Sequence, residues 1–593
     1  MTTRATRGPR RRTVVALAVI LSVLAAFVVR LVDIQVVSAD EHVAQSLTKI
    51  GVGDKITGQR GSVVDAGGTV LASSVLVYDA ELSPLVITQL EENDPKLPWT
   101  EAADRIAAIT GQTGDQVRAL VADALAKDSQ SQYAPLKKSL TTEQYIELRD
   151  LKRENNLAYL HMEGRETRVY PNGAVAGNIL GFLDGSGTAQ AGIEQLGEEC
   201  LAPIDGEESY RRGANGVVIP GSERTVDAVD GGSVQLTINS DLQWYLQQMV
   251  GEEARKQGAK GGTVTVVEAK TGKIRAAAEW PSLDPNDLDS STPETRYSQI
   301  FHRDFEPGST FKAITAAAVI EGAGLTPLST VTASSRETFP NGAVINDAFN
   351  HPAYNYTLAG GLIDSSNVAL SKFGTMVSPE VRYDYLERFG VGHKTIDFPS
   401  EVGGTLHPVS EWDSQSLYTT TFGQYYTVTA AQLAGAYQAI ANGGEKIDLS
   451  LVESCTKADG TVAAPDKPKH EQIIEKQTAA EITRMLENVA VQGGNAERIQ
   501  VPGYRVTSKT GTAQVADPVN GGYKNGVYYT SMVGFAPVDD PQYVVVVTLD
   551  EPTKVVSSAA TASAFQKAMT QVMKTYRVMP SSVPMDELLP KFG

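Results

Sequence analysis

The sequence predicts a mixed α/β protein carried on a single N-terminal membrane helix, and three observations predict it. Arg4, Arg7, Arg10, Arg11 and Arg12 precede an uncharged apolar run over residues 13–29, with no acidic residue before Asp33. Gly231-Gly232 separates an amino-side stretch of short strands and helices from a longer stretch with a different texture. That second stretch shows two strand patterns, many helical ones and then three more strand patterns, the order of one sheet flanked by helices. At 593 residues the chain is also too long for a single core.

The apolar run lies at the short limit for a membrane span. Its apolar character resumes with Leu31, Val32, Ile34, Val36 and Val37, and no small-x-small site closes it. An uncleaved signal anchor over residues 13–37 is therefore expected rather than a cleaved signal peptide. The positive-inside rule leaves residues 1–12 as a cytoplasmic tail and everything after about residue 38 outside.

Residues 38–231 form the first expected domain. Val63-Val64, then Asp65-Ala66-Gly67-Gly68, then Val70-Leu71 reads as strand, turn and strand. Residues 100–155 read as helical, with a capping box at Thr141 and Gln144. Residues 232–578 form the second expected domain, and 579–593 a tail. Residues 234–238 alternate as a strand, and Ser240 with Gln243 reads as a capping box opening a helix through about Gln257. Strands over 263–267 and 273–278 flank a turn at Lys270-Thr271-Gly272. Ile482, Met485, Leu486 and Val489 keep helical spacing, as do Phe565, Ala568, Met569 and Val572. Strands are expected around Lys509, over 528–535 and over 543–549.

Composition excludes some functions. Hydrophobic content of 41% and charged content of 21% describe ordinary globular protein, and a net charge of −18 argues against nucleic acid as a bulk partner. The seven histidines are scattered without metal spacing, so neither a metal nor another cofactor is expected. Cys200 and Cys455 lie far apart, and free or buried thiols are expected because spacing lends no support to pairing.

The chemistry concentrates in Glu306-Pro307-Gly308-Ser309-Thr310-Phe311-Lys312. A serine hydroxyl is a poor nucleophile without a base, and i, i+3 on a helix brings the Lys312 amine to Ser309. Pro307 and Gly308 favour a turn, and the alanines from Ala313 onward favour a helix. Ser309 then sits in the first turn, where the positive helix end favours a developing alkoxide. Two further motifs lift this pair above chance: Ser365-Ser366-Asn367 ahead of the apolar helix at Val368, and Lys509-Thr510-Gly511-Thr512 within a strand pattern.

Each element has a physical role in acyl transfer. Lys312 is the base if burial beside another cation, with Lys509 the candidate, keeps it neutral. Ser365 relays a proton toward a leaving nitrogen, and Asn367 holds Lys312 and substrate backbone. Gly511 admits substrate to the strand, while Thr510 and Thr512 offer hydroxyls to a carboxylate. The Ser309 and Thr512 backbone N–H groups can form an oxyanion hole.

These motifs, in this order, are those of penicillin-binding proteins and serine β-lactamases. Over nearly its whole length the chain resembles the class B, high-molecular-weight penicillin-binding proteins. Arg60-Gly61-Ser62-Val63-Val64-Asp65 resembles a box of their membrane-proximal pedestal, with Ala66 where an arginine is usual. Arg168-Val169-Tyr170-Pro171 with Leu180-Gly181, and Gly192-Ile193-Glu194-Gln195, resemble two more. Phe422-Gly423-Gln424 and 428–433 resemble the stretch between the second and third active-site motifs, although Thr429 and Gln432 also form a capping box.

The resemblance implies an elongated α+β pedestal and a serine β-lactamase-like transpeptidase domain, an antiparallel sheet flanked by helices. It implies a D,D-transpeptidase that joins peptidoglycan stem peptides through a Ser309 acyl-enzyme and is inhibited by β-lactams. Glu306 is similar to division-specific members, which implies septal wall synthesis; an elongation-type enzyme is the alternative. The anchor face of Leu24, Phe27, Leu31 and Ile34 suggests a membrane glycan polymerase, or other division proteins, as partners. A β-lactamase would need an activated water and lacks this pedestal, and a non-catalytic scaffold would not need the intact motif set.

Overall fold

A computed structural model describes residues 8–33, 51–91, 95–211, 222 and 224–593. The anchor residues Ile34, Val36 and Val37 lie outside them, as do Arg4 and Arg7. The chain divides into two compact units. The first is drawn from Met1–Gln59 and Pro203–Asp230, the second from Arg60–Ala202 and Gly231–Gly593.

In the first unit, helix α1 (Gly8–Val32) contains one stretch, Thr13–Val32, long and apolar enough to cross a membrane, and none of it is buried in protein. Strand β1 (Gly51–Ile56) of the same unit pairs with β6 (Gly206–Arg211), which pairs with β7 (Arg224–Val226).

The second unit opens with β2 (Val63–Val64) and β3 (Val70–Leu82), joined by the expected turn. Among the described residues, Asp65 has no arginine partner. Its carboxylate instead accepts from Gly67 N and Thr69 N at 2.8 Å, and from Ser240 N and Oγ at 3.0 and 2.7 Å. Helices α2 (Trp99–Thr110) and α3 (Gly114–Lys127) follow, then α4 (Thr142–Asn155) with the expected Thr141–Gln144 capping box. A strand breaks the helical reading of 100–155. In β4 (Ala134–Leu140), Ala134, Leu136 and Leu140 point inward while the strand pairs with β3, and a strand buries that face better than a helix turn does. Strand β5 (Leu160–Val169) also pairs with β3.

The next strand, β8 (Ser233–Leu236), is an inner strand of a sheet ordered β13–β12–β8–β2–β3–β4, where β12 is Val452–Thr456 and β13 is Val462–Ala463. Helix α5 (Glu198–Leu201) lies against its start, because Gly232 N donates to Cys200 O at 2.7 Å. This corrects the expectation of free thiols. Cys200 and Cys455 form a disulfide, with Cα atoms 6.1 Å apart across a sequence separation of 255. Cys455 sits opposite Val234 in the sheet, so tertiary pairing makes a contact that no spacing announces.

Helix α6 (Ser240–Gln257) already includes its supposed cap, Ser240, so it starts one residue earlier than expected. Asn239 is the cap, its Oδ1 accepting from Leu242 N at 2.9 Å, while the Ser240 hydroxyl is committed to Asp65. Gln243 turns inward and exchanges two 2.8 Å hydrogen bonds with the backbone of Ala277. Strands β9 (Gly261–Glu268), β10 (Ile274–Trp280), β14 (Lys509–Ala516), β15 (Tyr523–Ala536) and β16 (Tyr543–Asp550) form an antiparallel sheet ordered β10–β9–β16–β15–β14. β16 is central and buried along its whole length. Val544 and Val546 face one core, and Val545 and Val547 the other, which explains its unbroken valine run. Each such valine contributes about 1.5–3 kcal/mol. Helices α6 and α12 (Ala559–Thr575) cover the second face through Leu246, Val250, Phe565 and Met569. α10 (Ala430–Ala441) covers the other, near the central helix α7 (Lys312–Ala323), whose first eight residues are all buried.

Candidate active site

Three elements converge on one buried point. The first is a 3₁₀ turn, Gly308–Phe311, leading into α7. Gly308 adopts φ +55°, in the left-handed region that glycine enters without strain, and this turns Ser309 toward the strand β14. Thr310 locks the turn by donating to Pro307 O at 2.7 Å, and Tyr437 of α10 donates to Thr310 O at 2.7 Å.

The second element is the segment between α8 (Leu358–Ile363) and α9 (Asn367–Gly374). Ser366, not Ser365, caps α9, its hydroxyl accepting from Ala369 N at 3.0 Å. Ser365 is thereby left in a left-handed conformation, φ +56°, with its hydroxyl and carbonyl turned to the site. The third element is β14. Gly511 crosses so near the turn that a β-carbon there would stand 2.9 Å from Pro307 O and 2.3 Å from Ser531 Oγ.

The Lys312 ammonium nitrogen lies 3.0 Å from Ser309 Oγ, 2.7 Å from Asn367 Oδ1, and within reach of the Ser365 carbonyl and hydroxyl. Lys509 Nζ reaches the same Ser365 hydroxyl at 3.0 Å. Both lysine side chains are fully buried. Burial first, and the Lys509 charge second, push Lys312 well below the ordinary lysine range against a smaller pull from Asp347. Burial pushes Lys509 down to about 7. A neutral amine 3.0 Å from a serine hydroxyl can take its proton. Thr510 and Thr512 lie on the more open side of β14, with Thr512 Oγ1 accepting from Ser558 N at 3.0 Å.

Residues 262–573 match the penicillin binding protein transpeptidase domain, and residues 55–236 match the penicillin-binding protein dimerisation domain. This chain belongs to the penicillin-binding protein transpeptidase family. Penicillin-binding protein PbpB of Mycolicibacterium smegmatis is 32% identical, covering 95% of this chain and 90% of its own. Peptidoglycan D,D-transpeptidase FtsI of Escherichia coli is 26% identical over 95% of this chain and 92% of its own. The crystal structure of penicillin binding protein 3 from Mycobacterium tuberculosis complexed with ampicillin has a TM-score of 0.69 at 25% identity, covering 91% of this chain and all of that one.

The fold brings the five residues expected to be catalytic, Ser309, Lys312, Ser365, Asn367 and Lys509, into one hydrogen-bonded cluster. Two neighbours of the cluster, Asp347 and Asn346, belong to no motif. Asp347 accepts from Ser366 Oγ at 2.6 Å and Val368 N at 2.9 Å, holding the second motif from behind. Asn346 O accepts from Asn367 Nδ2 at 2.9 Å. Glu306 accepts from Tyr425 N and Tyr523 Oη, both at 2.8 Å, tying the approach to Ser309 to the β14–β15 hairpin. Burial pushes its carboxyl up against those hydrogen bonds. An acid in Ile345-Asn346-Asp347, ahead of the second motif, was the only sequence signal for that backing, and its spacing matches no chemical rule.

Proposed function

We infer that this chain is a peptidoglycan D,D-transpeptidase that cross-links stem peptides during septal wall synthesis. The observation that carries the reading is the buried Lys312 amine held 3.0 Å from Ser309 Oγ beside a second lysine. Ser309 Oγ attacks the carbonyl carbon of the penultimate D-alanine while Lys312 takes its proton. The Ser309 and Thr512 N–H groups receive the oxyanion. The C–N bond then breaks, the proton passes through Ser365 to the departing amine, and D-alanine leaves an ester on Ser309. An amine of a neighbouring stem attacks that ester, and its proton returns through the same groups to Ser309. Lys509, Thr510 and Thr512 hold the terminal carboxylate, Asn367 the substrate backbone, and Gly511 leaves room for it.

β-Lactams acylate the same serine, as the ampicillin complex of the M. tuberculosis relative supports. Glu306 ahead of Pro307-Gly308-Ser309 supports the septal role over lateral-wall elongation. The arginine-rich end ahead of the apolar stretch Thr13–Val32 favours a cytoplasmic N-terminus, with both matched domains outside the cell membrane. Leu24, Phe27 and Leu31 share one exposed face of α1, which suits a polytopic glycan polymerase. Co-purification of that polymerase should fall when all three become serine.

A fluorescent penicillin tests the enzymatic reading. Stable labelling lost in Ser309→Ala supports it; rapid turnover of the label, or none at all on the wild-type chain, overturns it.

A further inference from the structure

Residues 589–593 lie against the segment that delivers the second motif. Leu589 is fastened to α11 (Lys476–Gln492): its N–H donates to Asn488 Oδ1 at 2.9 Å, and its carbonyl accepts from Gln492 Nε2 at 3.0 Å. The chain then crosses to β11 (Tyr354–Thr357), the strand leading into α8. Thr357 donates from Oγ1 to Pro590 O at 2.6 Å and from N to Lys591 O at 3.0 Å, while Gly593 N donates to Asn355 O at 2.9 Å. Tyr356 and Phe592 pair as an antiparallel bridge. The Lys591 carbonyl sits directly on α8, where a β-carbon at Gly360 would come within 1.9 Å of it.

Two side chains carry this contact to the motif. Lys591 Nζ meets Asp364 Oδ1 at 2.6 Å, and Asp364 immediately precedes Ser365. The Phe592 ring packs 4.5 Å from Tyr354, which stacks on His351 at 5.2 Å. His351 Nε2 meets Asp347 Oδ2 at 2.8 Å, and that carboxylate holds Ser366 and Val368 just after Ser365. The strained residue is thus gripped from both sides. It needs the grip, because a left-handed conformation is costly for a residue with a β-carbon.

We propose that residues 589–593 are a strap that fixes the Ser365–Asn367 turn, with Lys591 and Phe592 as positioning residues for acylation of Ser309. The inference rests on the transpeptidase reading above. Neither side chain meets Ser309 or Lys312, which α7 and its own core hold in place. Loosening the strap therefore leaves Ser309 in its turn and misplaces the relay hydroxyl and the Asn367 amide, and with them the side chains that hold the Lys312 amine.

The test uses the full chain in detergent and fluorescent penicillin, counting only protein that eventually labels. In Lys591→Ala/Phe592→Ala, the first-order acylation rate at saturating reagent should fall about tenfold to a hundredfold, the cost of misplacing a catalytic group by a fraction of an ångström. The half-saturating concentration should stay within about twofold, and the conservative pair Lys591→Arg/Phe592→Tyr should restore the rate. A wild-type rate in the alanine pair overturns the strap, as does a loss that the conservative pair fails to restore. Absence of labelling in the wild-type chain would instead overturn the underlying function, so the two failures are distinct.

Discussion

Removing the charge of Lys509 should move the acid limb of acylation to higher pH. Lys312 Nζ and Lys509 Nζ both reach Ser365 Oγ, at 3.2 and 3.0 Å. The two nitrogens therefore stand no more than about 6.2 Å apart, where two positive charges at an effective dielectric constant of about 20 repel by at least about 2.7 kcal/mol. That repulsion, added to burial, holds Lys312 lower whenever Lys509 is protonated. In Lys509→Met the repulsion is gone, so Lys312 holds its proton to higher pH and is useless as a base over more of the range. The assay is the acylation rate with saturating fluorescent penicillin from about pH 5 to pH 9. The midpoint of the acid limb should rise in Lys509→Met and stay low in Lys509→Arg, which keeps the charge. An unchanged midpoint in Lys509→Met, or a downward one, refutes the claim that Lys509 tunes the base.

Three other perturbations are as direct. Gly511→Ala places a methyl 2.3 Å from Ser531 Oγ and 2.9 Å from Pro307 O, so β14 must leave the Ser309 turn; thermal unfolding should show about 1–3 kcal/mol lost and labelling should slow sharply. Glu194 is fully buried between Arg60 Nε at 2.8 Å and Arg168 Nε at 2.7 Å. Glu194→Gln leaves two guanidinium groups without their shared anion and should cost about 3–5 kcal/mol in urea unfolding, with the folded fraction still accepting penicillin. Cys200→Ser/Cys455→Ser opens the 255-residue loop closed by the disulfide. It should lower stability by about 2–5 kcal/mol, an effect that reductant reproduces in the wild type and does not add to in the variant.

The site was legible in the sequence because acyl transfer needs particular residue types, and helix spacing places two of them together. Ser309 and Lys312 follow from i, i+3 spacing once the second and third motifs lift the pair above chance, and the valine run of β16 announces a strand buried on both faces. The unread parts depend on tertiary context. Ser240 had the right neighbour for a capping box, yet Asp65, 175 residues away, claims its hydroxyl and leaves the cap to Asn239. β4 looked helical because its inward residues are few and its pairing partner is remote. Cys200 and Cys455 meet only because β8 brings α5 beside β12. Asp347 and the strap at 589–593 act through backbone carbonyls and single side chains, which leave no periodic trace.

The placement of β8 between β2 and β12 has a practical consequence for anyone cutting this protein into pieces. A soluble fragment beginning at residue 232 would start on an inner strand, stripped of β2 on one side and of the disulfide partner of Cys455. Its freed edge would present unpaired N–H and C=O groups to any passing strand. Such a fragment should aggregate even though every residue of the Ser309 cluster is present. The serviceable cut lies ahead of Arg60, where the second compact unit begins.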